Sequence, residues 1–331
     1  RYWRDWSSDV CSSDLVAAIL FSSGSSGEPK GVVLTHGNVR ANCEAVAQVL
    51  PLDRRDCLLG ALPQFHSFGN LAQWYAMLQG ARMAFLPNPL DAARVGETVA
   101  LHQVTILLAT PTFLQLWLRR CEPGQFGSLR VALTGAEKLT DELAEAFADR
   151  FGIRPIQGYG CTECAPVVAA SSPGFRAAGF YQAGSRAGSV GRPLPGVSVR
   201  IVDPDTRATL PIGAAGLVLV RGANVMRGYL GRDDLTAAAM HDGHYITGDI
   251  GRLDAEGFLY ITDRLSRFSK IGGEMVPHGV VEEHLQACSG RSERAFVVCG
   301  VPDAKKGERL AVLTTLRGDD VATVRERLAT R

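Results

Sequence analysis

Residues Phe21 to Gly31, FSSGSSGEPKG, hold four serines, three glycines and one lysine within eleven positions, directly after the apolar run LVAAILF. Backbone N–H groups of glycine and serine can converge on an anion with no side chain in the way, and hydroxyls and a lysine add further donors. That is phosphate-binding chemistry. The Walker spacing G-x-x-x-x-G-K-[ST] is not met, because Lys30 follows Gly27 by three positions and is followed by Gly31. The pattern G-x-G-x-x-G is absent too, so a kinase-like phosphate loop is disfavoured. On composition alone, a flexible Gly/Ser surface turn is an equal alternative.

Other candidate chemistry is thinner. Cys161 and Cys164 form a single C-x-x-C with no second pair, which argues against a zinc or redox centre. No G-x-S-x-G elbow occurs, so a hydrolase triad has no support. His36, His244 and His278 are expected in loops, without catalytic duty.

The elements that must hold these residues follow from periodicity. From Leu15 the order reads strand, glycine-rich turn SSGSSGEPKGVVLTHG, then helix NVRANCEAVAQVL with Asn38 as its N-cap. VTILLAT and RVALTG read as short buried strands. TDELAEAFADRFG reads as an amphipathic helix with Thr140 as cap, Leu143 and Phe147 on one face and Gly152 as its stop. Strands alternating with helices predict an α/β protein with a largely parallel, helix-covered sheet. After about Pro173 the pattern changes to short strands between glycine and proline turns, VSVRIVD, GLVLVRG and GFLYITD, which predicts a small β subdomain over 174–262. From Asp263 a separate small α/β piece is expected.

The chain has 331 residues, a formal net charge of +1, 46% apolar and 21% charged residues, the profile of a globular protein large enough for two or more domains. Its basic residues are scattered, so no nucleic-acid partner is expected. Apolar runs such as VAAILF fall far short of the roughly 18 residues a membrane span needs, and no secretory signal is visible. Eight cysteines at this density suggest reduced thiols, making a cytoplasmic location the expectation. The first fourteen residues, RYWRDWSSDVCSSD, carry two of the four tryptophans and no periodicity. They read as foreign sequence, with an irregular native arm as the alternative, and are set aside.

Taken whole, the first loop closely resembles the signature loop of the adenylate-forming (AMP-binding) superfamily, which includes acyl-CoA synthetases, luciferases and peptide-synthetase adenylation domains. Further motifs agree in order: ALPQFHSFG at 61–69, LTGAEKL at 133–139, QGYGCTE at 157–163, YITGDIG at 245–251 and DRLSRFSKIGGEMVP at 263–277. The resemblance covers Leu15 to about Leu316. It implies a large N-terminal domain over 15–262 and a mobile C-terminal lid over 263–331. It also implies a two-step reaction: a carboxylate attacks the α-phosphate of ATP and expels pyrophosphate, then a thiol attacks the acyl-adenylate and expels AMP.

Residue by residue, the resemblance implies that Ser22, Ser23, Gly24, Ser25, Ser26, Gly27 and Lys30 hold the β- and γ-phosphates. Thr162 would bond the α-phosphate, and Glu163 would hold Mg²⁺, a hard cation that takes a carboxylate with phosphate oxygens and water. Gly135, Ala136, Glu137, Gln157, Gly158 and Tyr159 would flank adenine. Asp249 suits the ribose hydroxyls, since an ionised carboxylate accepts hydrogen bonds and donates none, and Arg264 would bond the same sugar. His66 would border the acyl pocket. Lys270 and Gly273 match the loop the family presents during thioester formation. Ser266 departs from the Asp or Lys that many relatives carry at the hinge.

Two further departures are expected to matter. The family has a long segment before the glycine loop, and a late lysine that bridges acyl carboxylate and α-phosphate, and neither motif occurs between Arg1 and Arg331. The sequence therefore reads as an internal fragment with little adenylation activity of its own. TGDIGRLDAEGFLYITDRLSRFSKIGGEMVPHGVVEEHL is most similar to the acyl-acyl-carrier-protein synthetase portion of bifunctional enzymes that also carry a lysophospholipid acyltransferase domain. That similarity implies a long-chain fatty acid as substrate, acyl carrier protein or coenzyme A as acceptor, and membrane association only through domains outside this sequence. A peptide-synthetase adenylation domain is one rival, weakened because LPQFHSFGNLAQWYA offers no acid for a substrate ammonium. A non-catalytic acyl-adenylate binding module is the other.

Overall fold

The computed structural model describes residues 12–22, 29–271, 274–291, 294–303 and 306–329. Its first finding corrects the reading of the opening segment. β1 (Val16–Ser22) is followed by a second strand, β2 (Lys30–Thr35), and the two pair antiparallel from Val16↔Thr35 to Ser22↔Lys30. The glycine-rich segment thus joins two partners of a hairpin and does not lead straight into a helix. The signal was the run Val32, Val33 and Leu34, all buried, which is too apolar for a turn. α1 (His36–Val49) then begins three residues earlier than expected, with Thr35 in place of Asn38 as N-cap. The Thr35 hydroxyl accepts from the Asn38 N–H at 3.1 Å and the Asn38 side chain accepts from the Thr35 N–H at 2.9 Å. Asn38 is the far arm of a capping box, where its side chain reaches back to a donor that the helix leaves unpaired.

The chain then alternates as expected: β3 (Cys57–Gly60), α2 (Ser67–Gln79), β4 (Arg82–Phe85), α3 (Ala92–His102), β5 (Ile106–Ala109), α4 (Pro111–Arg120), β6 (Val131–Thr134), α5 (Asp141–Phe151) and β7 (Ile156–Gly160). These five strands are parallel in the order β7-β6-β5-β3-β4. β8 (Val167–Ala170) adds antiparallel at the β7 edge. Buried on both faces, the central strands are apolar throughout. Leu58, Ile106 and Leu108 pack with α1 and α2 on one side, while Leu59, Leu107 and Ala109 pack with α3, α4 and α5 on the other. α5 starts on the Thr140 cap and ends at Gly152 with φ +74°.

A hairpin of β9 (Phe175–Ala177) and β10 (Phe180–Gln182) precedes β11 (Arg192–Pro193), which pairs with β8. β12 (Ser198–Val202) and β13 (Gly216–Arg221) open an antiparallel sheet, and β14 (Gly228–Tyr229) returns to pair with β2. After α6 (Asp233–Ala238), that sheet is completed by β15 (Met240–His241), β16 (His244–Leu253) and β17 (Leu259–Arg264). The remainder is β18 (Phe268–Ile271), β19 (Glu274–Pro277), α7 (His278–Ser289), β20 (Phe296–Asp303), β21 (Gly307–Thr314) and α8 (Asp319–Ala329). It forms a four-stranded antiparallel sheet with a core of its own around Leu285, Phe296 and Val324. The three histidines expected in loops are placed otherwise. His36 and His278 open helices, and His244 is buried in β16 with Nδ1 2.8 Å from the Asp242 carbonyl. Among the described residues no helix is long and apolar enough to cross a membrane.

Candidate active site

The C-terminal ends of a parallel sheet, where loops diverge, are where open α/β folds place ligands. Here two walls meet at that edge. One is the hairpin: Ser22 closes β1, Lys30 opens β2, and they are cross-strand partners. Ser23, Gly24, Ser25, Ser26 and Gly27 lie outside the described residues, as does Gly273. The other wall is the turn after β7, a single 3-10 turn Thr162–Cys164 that carries Thr162 and Glu163.

Glu163 is buried, and its Oε1 accepts from the Tyr229 hydroxyl at 2.9 Å and the Ser22 hydroxyl at 3.4 Å. The Tyr229 ring also lies beneath Lys30, whose Nζ is 5.3 Å from its centroid. Burial, then the Glu163 charge, pushes the Tyr229 phenol well above its ordinary range, so it stays a proton donor. Thr162 Oγ1 is 3.3 Å from Ser67 Oγ at the start of α2. Tyr229 was not singled out from the sequence. It sits in a two-residue strand 66 positions from Glu163, and nothing local in MRGYLG marks it.

Asp249 lies on β16 just after Gly248, whose φ of +76° bends the strand in a way that side chains resist. The register of β16 with β17 sets Asp249 opposite Arg264. Asp249 Oδ2 accepts from the Tyr159 hydroxyl at 2.5 Å, and Oδ1 is 3.3 Å from Arg264 Nε. Burial raises the Asp249 carboxyl above its usual value, with the Tyr159 hydrogen bond and the Arg264 charge opposing that shift. Tyr159, Asp249 and Arg264 thus form one connected group.

Gly135, Ala136 and Glu137 form the turn after β6, with Ala136 at φ +69°. The Glu137 side chain is not among those lining the cleft. It accepts from the Thr112 N–H at 3.1 Å and the Thr112 hydroxyl at 2.6 Å, at the N-terminus of α4, where a carboxylate meets unpaired N–H groups and the positive end of the helix dipole. The Gln157 side chain is likewise engaged, accepting from the Leu139 N–H at 3.2 Å. Lys270 is not brought to the cleft: it is exposed on β18, with Nζ 2.9 Å from Asp205. Cys161 and Cys164 are free thiols, and no cluster of three metal-ligating side chains occurs among the described residues.

Two cavities meet here. A polar cleft of about 480 Å³ is lined by Ser22, Lys30, Thr162, Glu163, Thr247 and Arg264, among others. An apolar cavity runs under it between α1, α2 and the sheet. His66, Ser67, Ala136 and Gly160 line both, so the two adjoin at these residues. Gly160 must be glycine, because a Cβ there would sit 2.1 Å from the Pro166 carbonyl oxygen. His66 caps α2, its Nδ1 accepting from the Phe68 N–H at 3.2 Å, and partial desolvation lowers its pKa. Apart from His66, no ionisable residue other than Tyr75 and Tyr159 lines the apolar cavity among the described residues.

Comparison with known proteins agrees with this arrangement. Residues 4–230 match the model of a family described as AMP-binding enzyme. The chain is 34% identical over 298 residues to a feruloyl-CoA synthase of Amycolatopsis sp, covering 89% of this chain and 58% of that protein. It is 31% identical over 309 residues to a long-chain-fatty-acid–CoA ligase of Bacillus subtilis, covering 91% and 53%. A 2-succinylbenzoate–CoA ligase of Bacillus velezensis is 34% identical over 321 residues, covering 96% and 63%. Among solved structures, an ATP-bound RpMatB–BxBclM chimera superposes with a TM-score of 0.83 at 29% identity, covering 98% of this chain and 63% of that one. The O-succinylbenzoate coenzyme A synthetase of Bacillus subtilis, in complex with ATP and magnesium ion, gives 0.80 at 28%, covering 95% and 64%. The chain thus spans 53–63% of the length of these curated relatives.

Proposed function

From the premise that the chain belongs to the AMP-binding enzyme family, we propose that it carries the nucleotide and acyl sites of an ATP-dependent acid–thiol ligase that activates a fatty acid as its acyl-adenylate. The observation that carries this reading is the junction at His66, Ser67, Ala136 and Gly160, where the polar cleft and the apolar cavity adjoin. A carboxylate whose tail fills the cavity has its head at this junction, beside the cleft that takes the triphosphate.

The residues divide the task between them. Ser22 and Lys30 bind the β- and γ-phosphates, and Thr162 bonds the α-phosphate. A carboxylate oxygen attacks the α-phosphorus while the bond to the bridging oxygen breaks and pyrophosphate leaves. No base is needed, because the nucleophile is already ionised. Stabilisation of charge is what the site must supply. Glu163 is the residue that would hold magnesium: a single buried carboxylate suits a cation that takes its other ligands from phosphates and water. Bound there, the ion would neutralise charge on the triphosphate. Asp249 and Arg264 take the ribose hydroxyls, exchanging their mutual contact for bonds to the sugar. His66, its pKa lowered by partial desolvation, borders the acyl head.

The cavity lining argues for an uncharged tail. With no Lys, Arg, Asp or Glu around it among the described residues, an amino-acid ammonium or a second carboxylate, as in the succinylbenzoate of one relative's name, would be buried unpaired. The thiol acceptor is coenzyme A by the names of the relatives. Acyl carrier protein, a long-chain acid and a fused lysophospholipid acyltransferase domain rest on the sequence resemblance. Lys270, on β18, is assigned to the thioester step, after the segment beyond Arg264 has moved.

Calorimetric titration tests the reading, using non-hydrolysable fatty-acyl and aminoacyl sulfamoyl adenosines with Asp249→Ala as control. The fatty-acyl compound alone is expected to bind, and to lose at least tenfold in affinity in the variant. Preference for the aminoacyl compound would overturn the fatty-acid assignment.

A further inference from the structure

The apolar cavity has a depth that two independent measures fix. Along the sheet, its mouth is level with Gly135, one residue beyond Thr134, the partner of Ala109. Its deepest strand residues are Ile106 and Leu58, which are partners of each other. That is four residues, or about 13 Å at roughly 3.3 Å per residue. Along α2, Ser67 lines the mouth and Tyr75 lines the far end, eight residues on. At 1.5 Å per residue this is about 12 Å.

What closes the far end is one bond. Tyr75 is 2% exposed, and its hydroxyl donates to the carbonyl of Leu50, the residue that caps the end of α1. Both residues line the cavity, with Val46 and Val49 beside them. The bond ties α1 to α2 across the base, and burial holds the phenol in its protonated, donating form.

We propose that Tyr75, latched to Leu50, is the residue that limits acyl chain length, and that the acid activated here is of medium chain, about ten carbons. The inference rests on the acyl-adenylate reading above and departs from the long-chain expectation. A zigzag hydrocarbon advances roughly 1.25 Å per bond, so about 12 Å takes about ten carbons before the chain meets the ring. A longer chain must displace Tyr75 and strand the Leu50 carbonyl.

The test is a calorimetric series of acyl sulfamoyl adenosines, octanoyl, decanoyl, dodecanoyl and hexadecanoyl, against the chain and two variants. Affinity is expected to rise up to roughly fourfold per methylene to about ten carbons, then to stop rising, with hexadecanoyl weaker than decanoyl. Tyr75→Leu opens the floor and moves the optimum to longer chains. Ala72→Leu, which fills the cavity one turn above Tyr75, moves it to shorter ones by about three or four carbons. The second variant keeps the latch intact, so a folding defect in the first does not blunt the test. Hexadecanoyl binding as tightly as decanoyl to the unsubstituted chain, or an optimum unmoved by Ala72→Leu, overturns the floor alone. Binding of none of the four overturns the acyl-adenylate reading and the floor with it.

Discussion

Replacing Tyr229 with phenylalanine removes one hydroxyl and leaves the ring beneath Lys30 in place. That hydroxyl is 2.9 Å from Glu163 Oε1, and the only other donor recorded there among the described residues is the Ser22 hydroxyl at 3.4 Å. A hydrogen bond to a charged group is worth about 1.5–3 kcal/mol. If the proposed magnesium ligand is held in place chiefly by Tyr229, Tyr229→Phe should weaken MgATP binding by about 10- to 150-fold. An acyl-adenylate mimic has no β- or γ-phosphate and needs no metal, so its affinity should change by less than about threefold. Calorimetry with both ligands over a magnesium series separates the two effects. Equal losses for both ligands would refute the reasoning, because they would mean that the hydroxyl supports the whole cleft and not Glu163 in particular.

Asp249 gives a pH dependence. Its carboxyl titrates above the ordinary aspartate range because it is buried, and only the ionised form accepts the two ribose bonds. AMP affinity should therefore fall on acidification at a higher pH than an exposed aspartate would give, and Asp249→Asn should abolish that dependence. The same shift makes the native state bind the proton more readily than the unfolded chain. Its contribution to stability is therefore present at low pH and lost as pH rises through the raised value. Asp56 runs the other way: hydrogen bonds from Arg130, 2.7 Å away, with Thr105 and a local backbone N–H, hold its carboxyl down at about 2. Its stabilisation, about 1–2 kcal/mol, should be present above the unfolded value and lost as pH falls from about 4 to 2, and Asp56→Asn should remove that step from an acid-unfolding curve. Glu137→Ala should lower thermal stability by about 0.5–1 kcal/mol, through the N-terminus of α4, and leave AMP affinity within about twofold. A tenfold loss of AMP affinity would mean that Glu137 does contact nucleotide.

Much of the fold was legible because local signals agreed with the tertiary structure. Thr140 and Gly152 bound α5 as cap and stop, and VTILLAT and RVALTG are buried parallel strands. β2 was hidden because its apolar run follows the glycine-rich turn so closely that the turn absorbed it. The Asn38 cap was misplaced because Thr35 and Asn38 both suit that position, and only the reciprocal bonds decide between them. The site was legible where motif residues present their side chains to the cleft, as Thr162 and Glu163 do. It was not legible where a motif residue is spent on the scaffold, as Glu137 is on Thr112. Nor could spacing reveal Tyr229, brought to Glu163 by strand pairing, or Tyr75, whose place at the base of the cavity depends on how α1 and α2 pack.

The central claim is that one ligand spans the cleft and the cavity through the junction at His66, Ser67, Ala136 and Gly160. The direct measurement is the affinity of decanoyl sulfamoyl adenosine against that of AMP, side by side on the same chain. Burial of the tail at up to about 0.8 kcal/mol per methylene should make the acyl compound at least a hundredfold tighter. Equal affinities would mean that the cavity does not receive the tail, and the two compartments would then not form one active site.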